Sequence, residues 1–265
     1  MHRDKSQDLD YAILRTLQSS RQPMGSWSLY YLLREHGHDV SAPTIGRKLR
    51  DMERLNLLDK STVEGRVITP AGLRMLRKAA RDEQSRAHAD NLLKALDGRT
   101  RKDIIDQLTV RRIIEVEAAG LAALHASRAA ISKLEDIVRK QEDAIKKGRM
   151  GVGEDVGFHE ALARASGNKI ISTTVHILRS QEWMNYLVTE IRTKVGTHLA
   201  VDHQKIISAL KTRNSSLARK AMESHINQLI ADVNRYWNVI LRRKSPPKDP
   251  LLSRMRARRP TSTAD

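Results

Sequence analysis

The stretch Glu154–Leu162, EDVGFHEAL, decides how the C-terminal half of this chain is read. Asp155 and His159 stand four residues apart, so a helix stacks them on one face. Two further histidines fall on helical patterns downstream: His203 in VDHQKIISAL (201–210) and His225 in AMESHINQL (221–229). One carboxylate and three imidazoles converging inside a helical bundle would hold a divalent metal. The interval from His203 to His225 spans one helix, a turn and part of the next, so an antiparallel hairpin can bring both inward. Spacing alone also leaves each histidine open as an ordinary core or surface residue, and Asp202 reads as pointing elsewhere.

Working outward, residues 103–241 read as helix throughout. Six stretches are expected, at 103–126, 130–148, 152–166, 168–188, 196–212 and 214–241. They are separated by Gly148/Gly151/Gly153, Gly167, Gly196 and Arg213-Asn214. On the first, Ile105, Leu108, Ile113, Val116, Ala119, Leu121 and Leu124 form the expected apolar stripe. No segment alternates as a strand. The fold class is therefore mostly α, with an all-helical antiparallel bundle in this half.

The N-terminal half has a different rhythm. LDYAILRTLQSS (9–20) is helical, and Pro23 and Gly25 interrupt it. WSLYYLLREHG (27–37) follows, and Ser41 then caps APTIGRKLRDMERLN (42–56). Two short strands are expected around Leu57–Lys60 and Arg66–Thr69, with a turn near Glu64-Gly65, before Pro70 opens another helix. Three helices, a hairpin and a helix in this order make a winged helix-turn-helix over residues 1–84. Polar residues 85–102 read as a connecting helix and linker. Residues 242–265, rich in Pro and Arg and poor in apolar residues, read as a disordered basic tail.

Charge supports a polyanion partner. The chain carries 48 Lys+Arg against 31 Asp+Glu, a net charge of +17, with its highest density in the tail. In the winged helix, the third helix is expected in the major groove, with Ser41, Thr44, Arg47 and Lys48 in its first two turns. Arg50 would lie toward phosphates, and Arg66 sits on the wing. Cysteine is absent, so there is no disulfide framework and no thiolate to bind metal. With no apolar run near 18 residues and no export signal, a cytoplasmic protein without a membrane partner is expected.

Residues 105–237 resemble the FCD ligand-binding domain of the FadR-like branch of GntR-type transcription regulators. VRRIIEVEAAGLAA (110–123) is similar to the family's opening helix, with Arg111 and Glu115 at its Arg-x-x-x-Glu spacing. DVGFHEALARASGN (155–168) resembles its Asp/His metal motif, and DHQKIISAL and ARKAMESHI resemble the two later histidine motifs. Asp202 stands where Glu is usual. The resemblance implies a buried divalent metal, zinc or alternatively nickel, on Asp155, His159, His203 and His225. It further implies a small carboxylate effector held by the metal and an arginine, for which Arg111 is the candidate, with Asn168 matching the family's Asn. The N-terminal half departs from the family: Ala42 and Gly46 stand where two base-reading arginines are usual, and the Gly-x-Gly-Thr wing is absent. The function expected is a ligand-responsive regulator, not an enzyme, binding an inverted-repeat operator in double-stranded DNA as a homodimer. The alternatives are a metal-dependent hydrolase or lyase and a constitutive architectural DNA binder with a structural metal.

Overall fold

A computed structural model describes residues 5–62, 65–195 and 199–242. The expected turn residue Glu64, the break at Gly196 and the tail from residue 243 onward lie outside them. Packing divides the chain into two compact units, with the boundary between Leu92 and Leu93.

The first unit comprises α1 (Lys5–Ser20), α2 (Ser26–Glu35), α3 (Ala42–Arg54), β1 (Leu58–Thr62), β2 (Gly65–Ile68) and α4 (Pro70–Leu96), which runs on past the boundary. This is the winged helix-turn-helix order. Ser41 caps α3 by accepting from the Thr44 amide at 3.4 Å, and Pro43 sits in the first turn, where its missing N–H costs nothing. Ile45, Leu49 and Met52, at helical spacing, are buried against Leu14, Leu29 and Leu33. Each contributes about 2 kcal/mol by leaving water, and together they hold Arg47 and Arg50 on the opposite, exposed face. The antiparallel wing pairs Leu58 with Ile68 and Lys60 with Arg66. At its start Arg66 exchanges two backbone hydrogen bonds of 3.1 Å with Met24. Gly65 (φ +158°) permits that approach: a Cβ there would stand 2.4 Å from the Met24 carbonyl carbon. Residues 80–95 of α4 are exposed on every face.

The second unit holds α5 (Arg101–His125), α6 (Arg128–Lys146), α7 (Val152–Ala165), α8 (Lys169–Arg179), α9 (Glu182–Val195), α10 (Leu199–Lys211) and α11 (Ser215–Arg242). A reciprocal Thr100/Asp103 capping box starts α5. Gly167, in the left-handed region at φ +75°, ends the α7 turn. One continuous core of Leu108, Leu134, Phe158, Leu187, Ile206, Met222 and their neighbours binds the helices.

Two expectations are corrected. The single helix expected at 168–188 is two helices. Ser180 Oγ donates back to the Ile177 carbonyl and Asn185 Nδ2 takes the Arg179 carbonyl, so the end of α8 is satisfied without continuing the helix. The buried face of α5 is also rotated from the expected stripe. Ile113 and Leu124 are exposed, and the inward residues are Ile104, Leu108, Arg111, Glu115, Ala119 and Ala122. An ion pair thus occupies the middle of what periodicity marked as apolar. Among the described residues no helix is long and apolar enough to cross a membrane.

Candidate metal centre

The bundle brings Asp155, His159, His203 and His225 together from three helices. One ligand atom from each lies within 4.8 Å of the others, and all four residues are buried. Asp155 occupies the first turn of α7, where the helix dipole favours a carboxylate. His159 lies one turn later, and His203 and His225 face it from α10 and α11. Asp155 Oδ1 is 3.5 Å from His203 Nε2 and 3.8 Å from His159 Nε2. Two ligands each about 2.1 Å from a shared ion stand about 3–4.2 Å apart, so these separations suit one metal.

The imidazoles are oriented by what their other nitrogens touch. His159 Nδ1 stands 2.5 Å from Glu115 Oε2, His203 Nδ1 2.9 Å from Gln141 Oε1, and His225 Nδ1 3.4 Å from Asp202 Oδ2. With each Nδ1 turned onto an acceptor, each Nε2 lone pair faces the others. The His203 ring also stacks on Phe158, with centroids 4.1 Å apart. Among the described residues, Asp155 Oδ1 and the Nε2 atoms of His159, His203 and His225 are buried with no hydrogen-bond partner. Four convergent orphaned acceptors in one protein interior are unfavourable unless something positively charged meets them. The N/O donor set fits a divalent ion such as zinc or nickel.

Charge around the quartet is paired. Arg179 Nη1 donates to Asp155 Oδ2 at 2.8 Å and reaches Glu115 through Nε and Nη2 at 3.3 Å. Arg111 Nε donates to Glu115 Oε1 at 2.8 Å, while its Nη2 is buried without a partner. Burial raises the carboxyl pKa of Asp155 and Glu115, but the cations outweigh it. Arg179 holds Asp155 well below the usual range; Arg179 and Arg111 do the same for Glu115. Burial, with Arg179 beside it, lowers His159 to about 4. Burial also lowers His225, and burial together with His225 takes His203 well below its ordinary value. All three are therefore neutral, metal-competent imidazoles near neutral pH.

A pH dependence follows. A histidine whose folded value lies near 4 against about 6.5 unfolded takes up more protons in the unfolded chain between those values. Stability of the metal-free protein is expected to be full above pH 6.5 and to fall as pH drops toward 4. Urea titrations of chelator-treated protein across that window check this; a flat profile would show the imidazoles already solvated.

Sequence reasoning missed three members of the network. Arg179 was hidden inside an expected continuous helix. Gln141 carried no motif. Asp202, read as pointing elsewhere, faces His225 and accepts from Arg192 Nη2 at 2.9 Å. Arg111 does join the network, through Glu115. Asn168 does not: it is exposed, and its Oδ1 caps α8 by accepting from the Ile170 and Ile171 amides.

In the other unit the DNA candidates divide by what they already touch. Ser41, Arg47 and Arg50 are exposed, and Thr44 is half-buried between Ser41 and Arg47. Lys48 pairs with Asp10 at 2.9 Å, and Arg66 pairs with Glu53 at 3.0 Å, joining wing to α3.

Known proteins show similarity in both halves. Residues 106–228 match the FCD domain family, and residues 11–76 match the ribonuclease R winged-helix domain. The Uxu operon regulator of Haemophilus influenzae is 27% identical over 127 residues, 46% of this chain and 48% of that protein. The HTH-type transcriptional regulator LutR of Bacillus subtilis is 26% identical over 143 residues, 52% and 65% respectively. The HTH-type transcriptional repressor NanR of Citrobacter rodentium is 25% identical over 172 residues, 60% and 65%. The chain thus spans about half to two thirds of the length of the curated relatives it matches. The FCD match lies on the metal-site helices, while the winged helix lacks the family's arginines and matches another winged-helix family. The helical unit thus matches an FCD domain over residues 106–228, and the curated relatives similar to this chain are named as transcription regulators or repressors.

Proposed function

We propose that this chain is a ligand-responsive transcription regulator of the bacterial cytoplasm. The observation that carries the reading is the set of four orphaned, buried metal-facing atoms beside Arg111, in a chain that also bears a basic winged helix. The relatives are named as regulators or repressors, which supports regulation over hydrolysis. Glu115, a buried carboxylate beside the quartet, is held by Arg111, Arg179 and His159, which leaves it poorly suited to serve as a general base.

In this reading Asp155, His159, His203 and His225 hold zinc, with nickel as the alternative. The metal supplies a Lewis-acidic position for a small carboxylate, and Arg111, with its unpartnered Nη2, is the guanidinium that receives the same group. A second copy of the chain completes a two-fold homodimer on an inverted-repeat operator. The effector changes DNA affinity by binding one arrangement of the bundle better than another.

Fluorescence anisotropy on duplex DNA from upstream of the protein's own coding sequence tests the reading, with and without a panel of dicarboxylates and sugar acids. Strong binding that no acid alters would sink the sensor; no duplex binding would sink the regulator. Arg47→Ala and Arg50→Ala are each expected to lower the slope of log K against log salt by about one. Lys48→Ala and Arg66→Ala should lower it less, because those cations are already paired within the fold.

A further inference from the structure

The fold leaves an aromatic cluster on α2 unused. Trp27 is 64% exposed and Tyr31 62% exposed, one helical turn apart. Tyr30 between them is half-buried against the core and meets both rings edge-on, with centroids 5.8 and 5.3 Å away; the Trp27 and Tyr31 centroids are 6.5 Å apart. Arg34 Nη1 donates to the Tyr30 hydroxyl at 2.8 Å, and its guanidinium lies 6.0 Å from the Tyr30 ring centroid. The chain has 3 Trp, 5 Tyr and 1 Phe. Three of those nine rings therefore stand together on one short helix, Trp27 and Tyr31 projecting outward on either side of a Tyr30 that packs against the core.

Their location is specific. Ser26, the first residue of α2, lies against α3 at Gly46, where a Cβ would sit 3.8 Å from the Ser26 Cβ. Trp27 follows immediately, so the cluster begins beside the second turn of α3, from which Arg47 and Arg50 protrude. On α3, Asp51 pairs with Arg54 and Glu53 with Arg66, while on α2 the exposed Glu35, one turn beyond Tyr31, stands next to the exposed Arg34. The patch is apolar and hydrogen-bonding at its ring tips, with Arg34 exposed on the same helix and Arg47 and Arg50 on α3, which complements a sugar-phosphate backbone. When a helix-turn-helix docks, the helix before the recognition helix crosses that backbone. Indole N–H and phenol O–H donate to phosphate oxygens, and ring faces pack on deoxyribose.

We propose that Trp27, Tyr30 and Tyr31 form a contact for the sugar-phosphate backbone of duplex DNA, flanking the groove that α3 enters. This rests on the DNA-binding reading above and adds to it a sequence-independent, uncharged anchor. It offers a replacement for affinity lost with the missing arginines at Ala42 and Gly46.

The test uses the full chain and two fluorescein-labelled probes, a mixed-sequence duplex of about 30 base pairs and a single-stranded oligo-dT of the same length. The Trp27→Ala/Tyr31→Ala double variant, folded as judged by its circular dichroism melt, is expected to lose about tenfold or more in duplex affinity. Its salt slope should stay unchanged, because no cation is removed, in contrast to Arg47→Ala. Trp27→Phe/Tyr31→Phe keeps the rings and should recover part of the loss. Unchanged duplex affinity would overturn the proposal while leaving the DNA-binding reading intact. A loss confined to oligo-dT would assign the cluster to unpaired bases. A shift from dimer to monomer in sedimentation would assign it to a second copy. Wild-type protein that binds no duplex would overturn both readings together.

Discussion

Purified His203→Ala protein is expected to retain less than about a tenth of the divalent ion that wild-type protein carries. The reason lies in how the ligand is held. His203 is fully buried, its Nδ1 is fixed by Gln141, and its ring stacks on Phe158, so no alternative side chain can swing into its place. Removing one of four protein ligands from such a site leaves three donors and a void. The ion binds the folded bundle alone, so its loss is also a loss of stability. An ion present at about a thousand times its dissociation constant contributes about 4 kcal/mol. In a unit of this size that corresponds to about 8–16 °C in melting temperature. Elemental analysis of protein purified without added metal, paired with melts of wild type before and after chelation, checks both halves. Wild-type metal content in His203→Ala would remove it from the ligand set; a chelator that leaves the wild-type melt unmoved would make the ion incidental to the fold.

The second large effect is expected at Glu115. This carboxylate is buried and receives Arg111 Nε, two nitrogens of Arg179 and the close approach of His159. Glu115→Ala leaves two guanidinium groups in the interior with only Asp155 to answer them, and it frees His159 to rotate. Breaking one side of a buried ion pair costs about 3–5 kcal/mol, largely because the surviving charge stays desolvated. Urea denaturation of the metal-free protein, which separates this cost from metal loss, is the measurement. Adding Arg111→Met to Glu115→Ala should restore part of the stability, since it removes one of the stranded charges. If the double variant is no better than the single one, Arg111 draws its compensation from elsewhere.

The parts of the fold legible in the sequence were those written in local pattern. The Asp155/His159 spacing, the Ser41 cap with Pro43 behind it, and the Ile45–Leu49–Met52 face each follow from a few neighbouring residues. Spacing made the histidine quartet a candidate, and the family resemblance joined its members into one ligand set. What was not legible depends on partners far along the chain. Arg179 becomes a site residue because Ser180 and Asn185 end α8 there, a decision made by two side-chain hydrogen bonds that no periodicity registers. Gln141 and Asp202 are ordinary polar residues until the imidazoles on other helices meet them. The buried face of α5 was misread because the interior accepts Arg111 and Glu115 as a neutralised pair, which hydrophobicity alone treats as surface. Asn168 shows the converse: a matching letter whose side chain caps the start of α8 and does not join the network.

The anchoring of the imidazoles has a mechanical consequence. Every helix of the bundle supplies at least one link to the same point: Glu115 from α5, Gln141 from α6, Asp155 and His159 from α7, Arg179 from α8, Arg192 through Asp202 from α9, His203 from α10 and His225 from α11. Metal–ligand bonds tolerate only about 0.2 Å of misplacement. An ion at that hub would therefore act as a gauge on the whole bundle. A slide of any one helix by about an ångström would either be forbidden or be registered as a changed coordination shell, so the domain should move between discrete settings, not along a continuum.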